Sequence, residues 1–279
     1  MFADAAPFTM TSQLPIADFI FGSTPGMQEA RDRLEAALQD DLPVLIEGES
    51  GTGKELVARY LHFRSDRAAG PFVRVNCGAT WARSLDPETL TREWLDRGAE
   101  QAEALRATLF LDEIAEMHAA QRQEILLEFK TAKTGESSGK ANARIVCASS
   151  FGLESGATGK TDGSLLADEF KHRVRLLPLR ERKRDLPALC GYLLEKCARN
   201  FGRSIPQLGA SVLDEFERWD WPGNVRELEN WIARIVIFGT EAVGIDFGRH
   251  VGSRGGLDAN RRHSIRLNLG RDRGARRHA

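Results

Sequence analysis

The apolar positions along this chain change period part-way through. In the first two thirds, short apolar runs alternate with longer stretches of helical spacing. "PVLIEG" (43–48), "FVRVN" (72–76), "ATLFLDEI" (107–114) and "ARIVCAS" (143–149) are each short and β-rich, as buried parallel strands are. Between them, apolar or small residues recur three or four apart. Met27, Ala30, Leu34 and Leu38 predict a helix over about 25–39, and "GKELVARYLHF" predicts another directly after the first strand. Further helices are expected around 91–106 and 119–130. After "LLPLRERKRDLPAL" the strands stop, and helical patterns cover 186–200, 210–218 and 224–238. Strands alternating with helices imply an α/β fold with a parallel sheet. The expected organisation is a loose lead-in over 1–16, an α/β unit over 17–184, a small α-helical unit over 185–248, and a Gly- and Arg-rich tail over 249–279. The tail has no apolar period and reads as disordered.

Composition narrows the setting. No apolar run approaches the roughly 20 residues of a membrane helix. The start, "MFADAAPFTMTSQLP", lacks the basic stretch and apolar core of a signal peptide. A cytoplasmic location is expected, with no membrane partner. Cys77, Cys147, Cys190 and Cys197 form no CxxC pair and no zinc spacing, so reduced buried thiols are expected. The net charge of −1 hides an asymmetry: nine arginines against Asp258 and Asp272 make residues 249–279 +7, and the remainder −8. Such a tail suits contact with nucleic acid or an acidic partner, or is a solvated end.

Chemistry concentrates first in Gly48-Glu-Ser-Gly-Thr-Gly-Lys54, which fits G-x-x-x-x-G-K. Glycines let the backbone curl so that its N–H groups point at phosphate, and the following helix aims its positive end there. Lys54 adds charge for the β- and γ-phosphates. The candidate ATP-binding residues are Gly48, Glu49, Ser50, Gly51, Thr52, Gly53, Lys54, Glu55 and Leu56. Glu55 stands where a Ser or Thr hydroxyl usually ligates Mg²⁺. A carboxylate can hold that ion directly or through water.

A second group lies at strand ends. Asp112 and Glu113 close an apolar strand, where burying two acids is costly. Asp112 suits Mg²⁺, and Glu113 suits activation of an attacking water. The alternative for this acid pair is an N-cap. Asn76 ends its strand as an amide able to hold Glu113, or as a simple turn residue. Ser149 and Ser150 can sense a γ-phosphate or cap a loop, and Ser149 is the ATP-binding candidate of the two. In "WPGNVRELENW", Asn224 and Glu227 fit a capping box, with Val225, Leu228, Ile232 and Ile235 as the buried stripe. Arg226 lies off that stripe in the first turn, where a cation is unfavourable unless a phosphate faces it. A solvated surface Arg is the other reading.

Taken in order, "FGSTPGMQEA", "VLIEGESGTGKELVARYLH", "FVRVNC", "TLFLDEI", "PLRER" and "WPGNVRELEN" resemble the central AAA+ ATPase module of bacterial enhancer-binding proteins, the activators of sigma-54 RNA polymerase. The resemblance spans roughly residues 17–248. It implies a P-loop AAA+ core with a parallel sheet flanked by helices, plus a small α-helical lid domain. It also implies an ATPase acting in transcription regulation, with ATP and Mg²⁺ as ligands. Such proteins form rings with nucleotide between subunits, so the expected partner is this chain or a paralogue. The resemblance further implies that Lys54 binds phosphate, that Asp112 and Glu113 serve metal and water, that Asn76 is the glutamate switch, and that Arg226 is the second sensor.

The chain also departs from that pattern. The interval "GATWARSLDPETLTREWLDRGAEQAEALRA" holds no GAFTGA loop, the family's grip on sigma-54. Before "LLPLRER", the stretch "LLADEFKHRVR" offers Arg173 as the candidate arginine finger only with a gap; the ungapped match is Asp168. Ser150 replaces a sensor asparagine, and no helix-turn-helix pattern follows residue 249. Weakened hydrolysis and weakened sigma-54 contact are therefore expected. Two other readings stay open: a nucleotide-binding switch or assembly subunit that remodels nothing alone, and a basic-tailed nucleic-acid-binding protein with a vestigial ATP site.

Overall fold

The computed structural model describes residues 17–78, 107–117, 122–123, 125, 143–150 and 170–240. The lead-in, the intervals between these stretches and the arginine-rich tail lie outside them. So do the helices expected around 91–106 and most of 119–130, the interval compared with GAFTGA, and Asp168.

Five parallel strands form one sheet: β1 (Val44–Glu47), β2 (Phe72–Asn76), β3 (Ala107–Asp112), β4 (Ala143–Ser149) and β5 (His172–Arg175), in the order β2-β3-β4-β1-β5. β1 and β4 are central and buried at every position, which is why Val44–Ile46 and Ile145–Ala148 read as apolar runs. The strand β5 is not visible in the sequence. "HRVR" has one apolar residue, Val174, and among the described residues it pairs only with β1, at a sheet edge.

Helices α1 (Ala17–Phe21), α2 (Pro25–Ala37) and α3 (Lys54–Arg64) precede β2. The short α1 was not expected from the pattern. Met27, Leu34, Val57 and Leu61 from α2 and α3 pack on Val44, Ile46, Phe110 and Val146. The alternate strand positions Leu45, Leu109, Leu111, Ile145 and Cys147 form a second core with Met117, Ile125 and Phe170. The sheet is thus apolar on both faces, and polar groups collect at its ends.

The helical part contains α4 (Leu186–Phe201), α5 (Ala210–Arg218) and α6 (Asn224–Phe238). Their apolar faces meet around Leu193, Phe216, Trp221, Leu228 and Ile232. Trp221 is fully buried against Phe216 and donates its indole N–H to the Phe216 carbonyl at 2.9 Å. Among the described residues, no helix is long and apolar enough to cross a membrane. All four cysteines are buried thiols outside any disulfide. Burial pushes the Cys77 and Cys190 thiols up to about 12, so both are chemically quiet.

Candidate active site

The strand order sets where the chemistry sits. The chain leaves β1 toward β3 and β2 on one side, and reaches β5 on the other. The crevice therefore opens at the carboxyl ends of β1 and β4, where an α/β sheet changes direction. Glu47 and Ser149 are in register there, and Gly48 N–H donates to the Ser149 carbonyl at 3.1 Å.

The loop between β1 and α3 is shaped by its glycines. Gly51 (φ +81°) and Gly53 (φ +106°) lie in the left-handed region, where a Cβ is strained. Thr52 is buried and donates its hydroxyl to the Glu49 carbonyl at 2.8 Å, which closes the curl. The first helical bond of α3 runs from Val57 N–H to Gly53 carbonyl. The amides of Lys54, Glu55 and Leu56 therefore sit at the open, positive end of the helix.

Lys54 is 7% exposed, and burial pulls its ammonium below the ordinary lysine value while Glu113 and Asp112 oppose that shift. It donates to the Gly48 carbonyl at 2.9 Å and to Ser150 Oγ at 2.8 Å, and stands 3.5 Å from Glu113 Oε1. Ser150 N–H donates to Glu113 Oε2 at 3.0 Å, and its hydroxyl donates to Glu113 Oε1. Lysine, serine and glutamate thus form one closed cluster between the loop and the end of β3. Glu113 itself has φ +57°, an uncommon conformation for a non-glycine residue. It occupies the N-cap position of a short 3₁₀ turn, yet its side chain makes no capping bond. The carboxylate turns into the crevice instead.

The two serines separate by strand parity. Ser149 ends β4 with its side chain fully buried, and its carbonyl serves Gly48; Ser150, the next residue, puts its hydroxyl between Lys54 and Glu113. Asn76 is in register with Asp112, but its side-chain oxygen accepts from Gly78 N–H at 3.0 Å. Among the described residues no hydrogen bond joins it to Glu113. Asp112 and Glu55 both pair with Arg74, at 2.7 and 3.2 Å. Two carboxylates beside a phosphate cradle fit a hard cation that keeps most of its water and takes phosphate oxygens.

The helical part is bonded straight into the loop. Asn224 is fully buried with φ +54°. It does not cap α6, because its side chain is spent elsewhere: Oδ1 accepts from Leu179 N–H at 2.8 Å, and Nδ2 donates to the Ser50 carbonyl at 3.0 Å and to Glu49 Oε2 at 3.1 Å. Gly223 takes the N-cap, and its N–H donates to Glu227 at 2.9 Å. Val225 is only partly buried, so the α6 stripe starts at Leu228. Arg226 is exposed; its N–H donates to the Gly51 carbonyl at 3.2 Å and its guanidinium to Ser50 Oγ at 3.2 Å.

Sequence reasoning missed three arginines. Arg180 forks onto Glu49 at 2.9 and 2.6 Å and holds that carboxyl below its usual range. Arg182 is buried, and its guanidinium donates to the Thr52 carbonyl at 3.1 Å and the Ile20 carbonyl at 3.2 Å. In the charge run "RERKRD" both look solvated. Arg74 is the third. Arg173, the finger candidate, lies within β5 and donates to Glu47 at 3.0 Å. A finger acts on a neighbouring chain, whereas this guanidinium is engaged in its own.

Comparisons with known proteins bear on the fold and the family. The sigma-54 interaction domain matches residues 20–176, and the AAA+ ATPase lid domain matches 180–246. The chain belongs to the sigma-54 interaction domain family. It is 36% identical over 255 residues to the DNA-binding transcriptional regulator NtrC of Azospirillum brasilense, covering 84% of this chain and 50% of that protein. It is 38% identical over 240 residues to the Nif-specific regulatory protein of Azotobacter vinelandii, covering 79% and 44%. NtrX from Brucella abortus, solved in complex with ADP, superposes with a TM-score of 0.62 at 27% identity, over 81% of this chain and 52% of that one. The chain therefore spans about half the length of the curated relatives it matches.

Proposed function

We propose that this chain is an ATP-binding and ATP-hydrolysing AAA+ module that acts in transcription regulation. The observation that carries the reading is the cluster of Lys54, Ser150 and Glu113 at the mouth of the glycine loop. A lysine kept at the loop by carbonyls and a serine can exchange those contacts for phosphate oxygens. The amides of Lys54, Glu55 and Leu56 receive the same phosphates. Glu113, held by Ser150 N–H and hydroxyl, is oriented to take a proton from a water placed for in-line attack. Glu55 and Asp112 would hold Mg²⁺, which when bound neutralises charge on the phosphates. Arg226 extends the cradle from α6, so closure of the helical part over the loop is sensed through its contacts with Ser50 and Gly51. Asn76 is one strand from Asp112 and serves as an alternative holder of Glu113 once Ser150 releases it.

The partners supported by the family are other copies in a ring and sigma-54 RNA polymerase; the NtrX relative solved with ADP supports nucleotide at this site. A second reading, a nucleotide-held switch with slow turnover, is favoured by the engagement of Arg173 with Glu47. ATP turnover measured against protein concentration, with and without sigma-54, separates them. A rate per chain that rises with concentration supports the ATPase; tight binding with negligible turnover at every concentration supports the switch. Absence of both binding and turnover contradicts the proposal.

A further inference from the structure

We propose that Arg74 is a built-in competitor for the metal, a positioning residue that sets how much Mg²⁺ the nucleotide site requires. The inference rests on the nucleotide and metal reading above and adds a control element to it. Arg74 sits mid-strand on β2, where a polar residue pointing away from the core would ordinarily be solvated. Its side chain instead spans both carboxylates assigned to the ion. Nη2 donates to Asp112 Oδ2 at 2.7 Å, and Nη1 lies 3.2 Å from Glu55 Oε2. On the far side of Glu55, Arg59 donates twice to Oε1, at 3.0 and 2.8 Å, while its guanidinium lies 4.5 Å from the Phe72 ring centroid.

Phe72, Arg74 and Asn76 share one face of β2, as alternate residues of a strand must, and Glu55 and Arg59 of α3 meet that face. The result is a row of alternating charge, Arg59–Glu55–Arg74–Asp112, that balances with no added ion. A divalent cation taken up by Glu55 and Asp112 competes with the guanidinium for Glu55 Oε2 and Asp112 Oδ2 and repels it, so cation binding favours a guanidinium that gives up a carboxylate. It has room to do so: among the described residues β2 lies at one edge of the sheet, and Arg74 is 44% exposed. Arg74 thus holds the two acids in place without metal and raises the Mg²⁺ concentration at which metal replaces it.

The test is a titration of MgCl₂ into the full chain with the fluorescent nucleotide mant-ADP, with Mn²⁺ binding followed by electron paramagnetic resonance as a second readout. Arg74→Gln is expected to lower the half-saturating metal concentration about two- to fivefold, the range of a partly exposed ion pair. Arg74→Lys, which keeps the charge but loses the two-pronged reach, is expected to shift it in the same direction by less. Arg59→Gln touches Glu55 alone and is expected to shift it less than Arg74→Gln. An unmoved or raised midpoint in both Arg74 variants, with mant-ADP still bound, overturns this inference alone. A wild-type chain that binds no mant-ADP at any metal concentration overturns the site reading and this inference with it.

Discussion

Asn224 Nδ2 donates to Glu49 Oε2 at 3.1 Å, joining the first turn of α6 to the phosphate loop across 175 residues of sequence. The same amide also reaches the Ser50 and Leu179 backbones. The glycine loop is therefore tied to the helical part, and of these ties, which include the contacts of Arg226 with Ser50 and Gly51, the one through Asn224 uses a fully buried side chain.

Removing that side chain should cost more than breaking the neighbouring ion pair. Asn224→Ala leaves buried backbone groups without partners, a loss of roughly 1–3 kcal/mol. Arg180 and Glu49 are both about 40% exposed, and such pairs contribute about 0–1 kcal/mol, so Arg180→Ala should cost less. Urea midpoints rank the two. Asn224→Gly separates the amide from the left-handed backbone, since glycine keeps that conformation without strain. If Asn224→Gly matched wild type, the amide bonds would not be what holds the lid to the loop.

Glu113→Gln should keep nucleotide binding and lose turnover by about 10²–10⁴, because the amide cannot take the proton from water. Ser150→Ala removes the hydroxyl shared by Lys54 and Glu113 and should slow turnover about ten- to a hundredfold, the worth of a hydrogen bond to a charged group. Binding by fluorescence and hydrolysis by phosphate release distinguish the two effects. Normal turnover in Glu113→Gln would remove the carboxylate from its assigned role.

Stability should fall with acid through His62. The ring is 2% exposed, and one nitrogen lies 2.9 Å from Thr108 Oγ1. Burial, with Arg59 nearby, lowers it from 6.5 to about 4. Between those values the unfolded chain binds a proton that the folded chain refuses. Folding stability is therefore full above about pH 6.5 and declines toward pH 4, by on the order of 2–3 kcal/mol. Urea unfolding across that range should show a flatter profile for His62→Gln than for wild type. Parallel profiles would mean that His62 is not the group responsible.

Legibility in the sequence followed the physics of each position. β1, β3 and β4 are buried across nearly their whole length, so their apolar runs announced them, and the glycine loop and paired acids could be placed on their ends. β5 gave no signal because an edge strand needs little apolar surface. Ser149 was the expected phosphate contact, yet the hydroxyl beside Lys54 is that of Ser150, because one step along a strand decides which side chain enters the crevice. Asn224 looked like a cap, the ordinary use of asparagine before a helix; only tertiary contact revealed its partners. Arg74, Arg180 and Arg182 drew no assignment from the sequence, since their carboxylate and carbonyl partners are distant along the chain.

The measurement closest to the central claim is isothermal calorimetry of Mg-ATP with wild type and Lys54→Ala, each shown by circular dichroism to be folded. A saturable heat in wild type and its loss in Lys54→Ala are the predicted results. Equal heats from both chains, or no heat from folded wild type, would contradict the assignment of this loop as a triphosphate site.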